Sequence, residues 1–437
     1  MWLLPVFSSV ARNALRVFYR FSSAGGRVPR EGPVLLVANH PNSLLDPGMV
    51  VAVARRPVRF MAKAPLFTDP LVGWLVRGAG AVPVYRKQDD PAAMGQNDDT
   101  FLAVWDALAG GDAVGIFPEG ISHDAPALAP LKTGAARIAL GAALRTGGAF
   151  PVVPVGLSFR HKGTFRSEAL AVVGEPVAWD DLAHAGPEDR EAVPELTRRI
   201  EAALRAVTLN LERWEDAPLV EMAEAVYAAE LPVSPNPADR VARLRQATEG
   251  LARLRAEERA EWNAVAREVA AHGRLLKVLG LRPRELKAAP RTLGAAVWTA
   301  RNLLFFALAA PVASLGVALY WVPYRLTGVL EAKGKHSPDV RATFKLLVGG
   351  ALSIAWTLVL IGAAAALGGW IGALSAAVAL PLIGVTTLHV VEHWRRAVAD
   401  ARYFLLRTRR RETLDALRQR QRALAERLHA LWKEVRV

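Results

Sequence analysis

From Leu346 to Leu388 the chain carries no charged residue. A hydrocarbon span takes about 20 apolar residues. The stretch therefore has room for two spans, with Gly368-Gly369 placed to turn between them. A shorter uncharged segment, "NLLFFALAAPVASLGVALYWV" (Asn302–Val322), precedes it. Buried core helices are the competing reading, and the length of the second segment favours a membrane. Basic residues flank both segments: Arg282, Arg284, Lys287, Arg291 and Arg301 before, Arg325, Lys333, Lys335, Arg341 and Lys345 between, Arg395, Arg396, Arg402 and Arg407 after. The positive-inside rule places all three flanks in the cytoplasm. One crossing at 302–322 would put the middle flank outside. The sequence therefore predicts a kinked re-entrant or interfacial helix pair there, around Pro311. It also predicts a two-span hairpin over 346–388 and both ends in the cytoplasm.

Net charge is +14, and residues 395–437 alone hold 13 basic and 5 acidic residues, a net +8. Such an excess suits nucleic acid or an anionic membrane surface. The basic segment directly follows an apolar one, so membrane lipid is the expected partner and nucleic acid is not. There is no cysteine, which excludes disulfides and cysteine-based zinc sites. "HVVEH" (389–393) matches an inverted zinc-peptidase pattern. No third ligand follows it, so no metal and no cofactor is expected.

At the other end, Leu3, Phe7, Val10, Ala14, Phe18 and Phe21 recur at helical spacing, opposite Arg12, Arg16 and Arg20. This predicts an amphipathic helix in the headgroup layer; a core-packing helix with a solvated face is the alternative. Over residues 33–175 the pattern changes. Short apolar runs at 33–38, 58–62, 81–85, 113–117, 152–159 and 169–174 alternate with helical patterns, which implies an α/β sheet covered by helices. Residues 187–290 read as two helical stretches around the proline-rich "ELPVSPNPADR". Residues 393–436 read as one long amphipathic helix with Leu414, Leu417, Leu424, Leu428 and Leu431 on one face.

Chemistry-bearing residues fall at the ends of the apolar runs. "LLVANHPNSLLDP" sets His40 and Asp46 just past the first. A histidine takes a proton from a hydroxyl near neutral pH, and a carboxylate on its other nitrogen fixes the tautomer. Lys63 follows "RFMA", Arg86 follows "AVPVY", Glu119-Gly120 follow "AVGIFP", and Lys132 opens a helix. Together they provide a general base, a cationic clamp for phosphate and a tight turn. Ser43 has no G-x-S-x-G elbow around it.

"NHPNSLLDP", "GAVPVYR", "FPEGISH" and "VVPVGL" resemble, in order and spacing, the four motifs of the glycerolipid acyltransferase superfamily. The likeness covers roughly residues 30–215, and "FPEGISHDAPALAPLKTGAARIALGA" is most similar to fungal-type glycerol-3-phosphate/dihydroxyacetone-phosphate acyltransferases. Two departures stand out. Five residues separate His40 from Asp46, as in the fungal-type branch, where four are commoner. Ile121-Ser122-His123 replaces the commoner Thr-Arg-Ser, so that motif's arginine is missing, and the phosphate contact falls to Arg86, Lys63 or Lys132.

The resemblance implies a central mixed sheet flanked by helices, followed by an α-helical region and C-terminal membrane helices. The expected boundaries are 1–29 for the interfacial helix, 30–215 for the acyltransferase domain, 216–292 for a helical linker region, 293–392 for membrane-embedded helices and 393–437 for the basic helix. It implies His40 as base and Asp46 as its orienting carboxylate. Arg86, Glu119 and Gly120 would bind a phosphorylated glycerol acceptor, with Lys132 and Lys63 as further candidates. The donor would be acyl-CoA or acyl-carrier protein, and the location a membrane, taken as a bacterial inner membrane, with the site facing the cytoplasm. A lysophosphatidic acid or other lysophospholipid acyltransferase is the alternative within the class. A catalytically inactive lipid-binding membrane protein is the alternative outside it.

Overall fold

The structure, a computed structural model, describes residues 4–69, 73–78, 80–85, 95, 97–257, 260–287, 292–334 and 337–435. It has two compact units. One comprises Met1–Trp214, Ser234–Gln246 and His336–Thr343, the other Glu215–Val233, Ala247–Lys335 and Phe344–Val437.

In chain order the first unit runs α1 (Leu4–Phe18), β1 (Arg20–Gly25), β2 (Val34–Ala38), α2 (Leu45–Ala54), β3 (Val58–Lys63), α3 (Pro65–Thr68), α4 (Gly73–Gly78), β4 (Val82–Val84), α5 (Asn97–Ala109), β5 (Ala113–Ile116), α6 (Gly134–Thr146), β6 (Val152–Phe159), β7 (Glu168–Val173) and α7 (Ala192–Val207). The sheet order is β1-β7-β6-β2-β5-β3-β4. Every pairing is parallel except β6 with β7. β2 is buried along its whole length. It reads as the continuous apolar run "VLLVA" rather than an alternation because helices cover both faces of a parallel sheet. Leu35 and Val37 of β2, Val114 of β5, Ile138 and Leu140 of α6, and Leu196, Ile200 and Leu204 of α7 share one core. Burying such a side chain contributes about 1.5–3 kcal/mol.

All six apolar runs are strands. The strand that the sequence hides is β1. Helix α1 ends at Phe18, so Phe21 lies on a strand paired with β7 and not on the expected helix. The chain leaves the helix there because Arg166 Nη1 donates to the carbonyls of Arg16 and Val17, which ends the helix from outside. Leu15 and Phe18 are buried, whereas Val10 and Val17 are exposed. The helix therefore has both an inward face and an uncovered apolar strip.

Helices α8 (Ala217–Glu230), α9 (Pro237–Ala256), α10 (Ala260–Leu279), α11 (Thr292–Lys333), α12 (Pro338–Arg409) and α13 (Arg411–Val435) follow in the chain. In the second unit Asp216 accepts two hydrogen bonds from Arg255, at 2.8 and 3.1 Å. The leucines expected on one face of 393–436 are buried, with Leu424, Leu428 and Leu431 packed against Ala223 and Val226 of α8 and Val265 and Val269 of α10. That face is internal. Nor is the segment one helix: it breaks at Arg410, inside the run Arg409-Arg410-Arg411, where neighbouring like charges repel.

The helix pair expected at 302–322 is not there. α11 runs unbroken through Pro311 and Pro323. A proline forfeits one backbone hydrogen bond and can kink a helix, but local backbone adjustment and polar partners on neighbouring turns or helices let an apolar helix continue through it. α12 is different. Gly368 (φ −132°, ψ 17°) and Gly369 (φ 59°, ψ −153°) leave helical geometry. A Cβ on Gly372 would lie 2.3 Å from the Ala364 carbonyl oxygen. Residues eight apart in a straight helix are about 12 Å apart along the axis, so the chain folds back here, as the glycine pair predicts.

Two helices, Ala296–Lys333 and Pro338–Leu406, are long and apolar enough to cross a membrane. Leu308, Ile354, Leu367 and Trp370 on them are more than half exposed. Gly316 lets α12 approach closely, since a Cβ there would lie 2.0 Å from Thr387 Oγ1. His393 Nε2 bonds Asn302 Oδ1 at 2.8 Å, and His389 Nδ1 bonds the Val385 carbonyl at 2.9 Å. Both rings of "HVVEH" are thus engaged by helix partners.

Candidate active site

Parallel β2, β5 and β3 end side by side, and the chain turns sharply after each. The turn after β2 begins with Asn39, whose amide donates to the Leu157 carbonyl at 3.0 Å and accepts from the Leu157 N–H at 2.7 Å. The side chain thereby continues the β2–β6 ladder while the backbone departs from it. His40 follows. Its Nδ1 lies 2.8 Å from Asp46 Oδ2. An ionised carboxylate only accepts, so Nδ1 carries the hydrogen and Nε2 holds the lone pair. The six-residue spacing works because Ser43 adopts a left-handed conformation (φ 49°) and α2 starts at Leu45. Asp46 then sits in the first turn of α2, where the helix dipole favours negative charge.

Asp46 is wholly buried. Its Oδ2 also accepts from the Asn42 N–H at 2.6 Å, while Oδ1 has no partner. Burial pushes its carboxyl above the ordinary range, and the bond to His40 opposes that. Asn42 Nδ2 donates to the Tyr19 hydroxyl at 2.9 Å. Tyr19 is itself buried, its hydroxyl bonded to the Lys162 carbonyl, and burial raises its phenol.

The His40 ring stacks on Phe117, centroids 4.1 Å apart and planes 12° apart, and Phe117 stacks on Phe60 at 5.9 Å. Glu119 is nearly inaccessible. Its Oε1 accepts from the His40 N–H at 2.7 Å and its Oε2 from the Ala129 N–H at 2.8 Å, with His123 Nε2 also on Oε2. The expectation that Glu119 faces the acceptor meets a carboxylate already occupied by protein donors. Two carboxylate–phosphate charges would in any case repel. Gly120 has φ +72°, and a Cβ on it would lie 2.7 Å from Lys132 Nζ, so the lysine lies across the glycine. The structure thus brings His40, Asp46, Glu119, Gly120 and Lys132 together. Lys63 stands exposed at the end of β3. Arg86 lies outside the described residues.

Sequence reasoning missed Tyr19, Asn42, Phe117, Ser122 and His123. For His123 no local signal existed: it lies four residues after Glu119, but in a non-helical turn, where that spacing does not by itself bring side chains together. Lys162 also went unnoticed. Its ammonium pairs with Asp124 and lies 5.9 Å from the Trp214 ring centre.

Comparison with known proteins places the likeness in the segment that carries this sheet. Residues 22–158 match the family model described as Acyltransferase. Glycerol-3-phosphate O-acyltransferase 2 of Saccharomyces cerevisiae is 40% identical over 134 residues, 30% of this chain and 18% of that protein. Glycerol-3-phosphate O-acyltransferase 1 of the same yeast is 26% identical over 306 residues, 49% of this chain and 40% of that protein. The chain thus spans less than half the length of either yeast relative. A 1-acyl-sn-glycerol-3-phosphate acyltransferase of Bacillus subtilis is 28% identical over 190 residues, 41% of this chain and 87% of that protein. Residues 22–158 are therefore the segment of this chain that is similar to the Acyltransferase family.

Proposed function

We propose that the chain transfers a fatty acyl group from a thioester, acyl-CoA or acyl-carrier protein, to the hydroxyl of glycerol-3-phosphate or dihydroxyacetone phosphate. The observation that carries this reading is the 2.8 Å bond between His40 Nδ1 and Asp46 Oδ2, in a domain whose yeast relatives are named for glycerol-3-phosphate. His40 Nε2 takes the acceptor's hydroxyl proton as the oxygen attacks the thioester carbonyl. The tetrahedral intermediate collapses with loss of thiolate, which receives the proton back from the imidazolium. Asp46 stabilises the imidazolium between the two steps. The acyl group passes directly between substrates, so no acyl-enzyme forms.

Arg86, Lys132 and Lys63 supply the positive charge for the acceptor phosphate. Gly120 supplies the turn that lets Lys132 cross the loop. The donor and product are amphiphiles, and α11 and α12 hold the chain at the membrane that contains them. The basic flank before α11 favours the cytoplasmic side for the catalytic unit. Lysophosphatidic acid is the second acceptor to consider, because the Bacillus subtilis relative is matched over most of its length.

The test is acyl transfer from labelled acyl-CoA by detergent-purified protein, with each acceptor supplied in turn. Glycerol-3-phosphate is expected to give labelled lysophosphatidate, and His40→Ala to lower turnover by about 10²–10⁴. A wild-type protein that acylates none of the acceptors overturns the reading, as does a His40→Ala variant with undiminished turnover.

A further inference from the structure

The side chain that replaces the serine of the commoner Thr-Arg-Ser motif, His123, is tied to His40 by two routes. Its backbone N–H donates to the His40 carbonyl at 3.1 Å. Its ring meets Glu119 Oε2, and the other oxygen of that carboxylate holds the His40 N–H at 2.7 Å. The His123 tautomer is set: Nδ1 accepts from the Ala125 N–H at 3.1 Å, so Nε2 carries the hydrogen and donates to Glu119. Beside it, Ser122 Oγ accepts from the Ser43 N–H at 3.0 Å. Residues 119–123 thus grip both polar groups of the His40 backbone and a further N–H of the same loop. Glu119 is 1% exposed and the His123 side chain 17%, so water competes little for these bonds.

We propose that His123 is a positioning residue for acyl transfer: it locks the Glu119 carboxylate so that His40 keeps one backbone position under the ring contacts of Asp46 and Phe117. This deepens the acyltransferase reading and rests on it. Ser122 stands where the Thr-Arg-Ser motif has its arginine, and it too holds the loop, by accepting from the Ser43 N–H at 3.0 Å. Removing the His123 ring leaves Glu119 Oε2 held by the Ala129 N–H alone, so the carboxylate fixes the His40 N–H less firmly. A displacement of about 1 Å at a reacting group costs about 10²-fold in rate. Substrate affinity does not depend on this bond.

The experiment compares His123→Ala with His123→Gln, whose side-chain amide can still donate to Glu119. The expected result is a kcat lower by about 10–100-fold in His123→Ala, with KM for donor and acceptor each changed less than about threefold. His123→Gln is expected to recover most of the loss. In parallel, hydrogen exchange by mass spectrometry over the peptide around residues 36–46 is expected to be faster in His123→Ala than in wild type and near wild type in His123→Gln. An alanine variant with wild-type kcat, a loss carried by KM, or unchanged exchange overturns the proposal. If the wild type itself shows no turnover, the acyltransferase reading fails, and the exchange measurement still decides the mooring.

Discussion

The ring of Phe60 occupies the space that a side chain on Gly115 would need. A Cβ there would lie 2.4 Å from Phe60 Cε1. The two residues are paired across β3 and β5, and Phe60 in turn backs Phe117, on which His40 lies. A missing side chain on one strand thus decides where the His40 imidazole sits after another.

Gly115→Ala should therefore displace Phe60 and with it the stack. Overpacking of this kind costs about 1–3 kcal/mol. The expected outcome is a lower melting temperature together with a fall in kcat. A combined Gly115→Ala, Phe60→Leu variant should recover part of both, measured by thermal unfolding and acyl transfer in detergent.

Asp46→Asn should lower turnover by about 10²–10⁴ and yet raise stability at neutral pH. The folded protein holds the Asp46 proton more tightly than the unfolded chain, whose carboxyl titrates near 3.8. Between that value and the raised folded value the folded state carries the extra proton. Stability from this group is therefore present at low pH and lost as pH rises through the window. The variant has no such loss. Its gain in melting temperature should be largest near neutrality and shrink as pH falls towards 3.8.

His272 gives the opposite slope. It is wholly buried, its Nε2 3.2 Å from Gln421 Oε1 and its Nδ1 without a partner. Burial pushes it below its ordinary 6.5, partly offset by the Gln421 bond. The folded state thus binds fewer protons, and stability present above 6.5 is lost as pH falls through the folded value. Thermal melting of the full chain between about pH 7 and about pH 5 should show this loss. His272→Gln should flatten it.

Gly369 sits at φ 59°, ψ −153°, a region open essentially to glycine alone, where other residues cost about 1–3 kcal/mol. Gly369→Ala should lower the melting temperature in detergent. Gly362→Ala should not, because a Cβ there meets nothing within 4 Å.

Most strands of the first unit were legible because parallel strands covered on both faces read as unbroken apolar runs. β1 was not, because "RFSSAG" is polar and exposed on an edge and is defined by its pairing with β7, 148 residues away at Arg20–Glu168. His40 and Asp46 were legible because they lie in one short loop. The place of Glu119 after β5 was legible, but its hydrogen bonds to the His40 and Ala129 N–H groups were not, since nothing local tells which neighbouring backbone a carboxylate after a strand will meet. The fold-back at Gly368-Gly369 could be read from residue type alone. The continuity of α11 could not, because Pro311 is compatible with either a kink or a break.

Asn39 has a consequence for transplantation. Its amide reads the backbone of Leu157, 118 residues further along the chain. The depth of His40 is thereby keyed to the register of β6 and not only to its own loop. A one-residue slip of that strand would offer Asn39 a different peptide and carry the imidazole out of alignment with Phe117. The nine-residue segment "NHPNSLLDP" therefore is not a portable cassette: moved to another sheet without its matching strand, it would keep its letters and lose its aim.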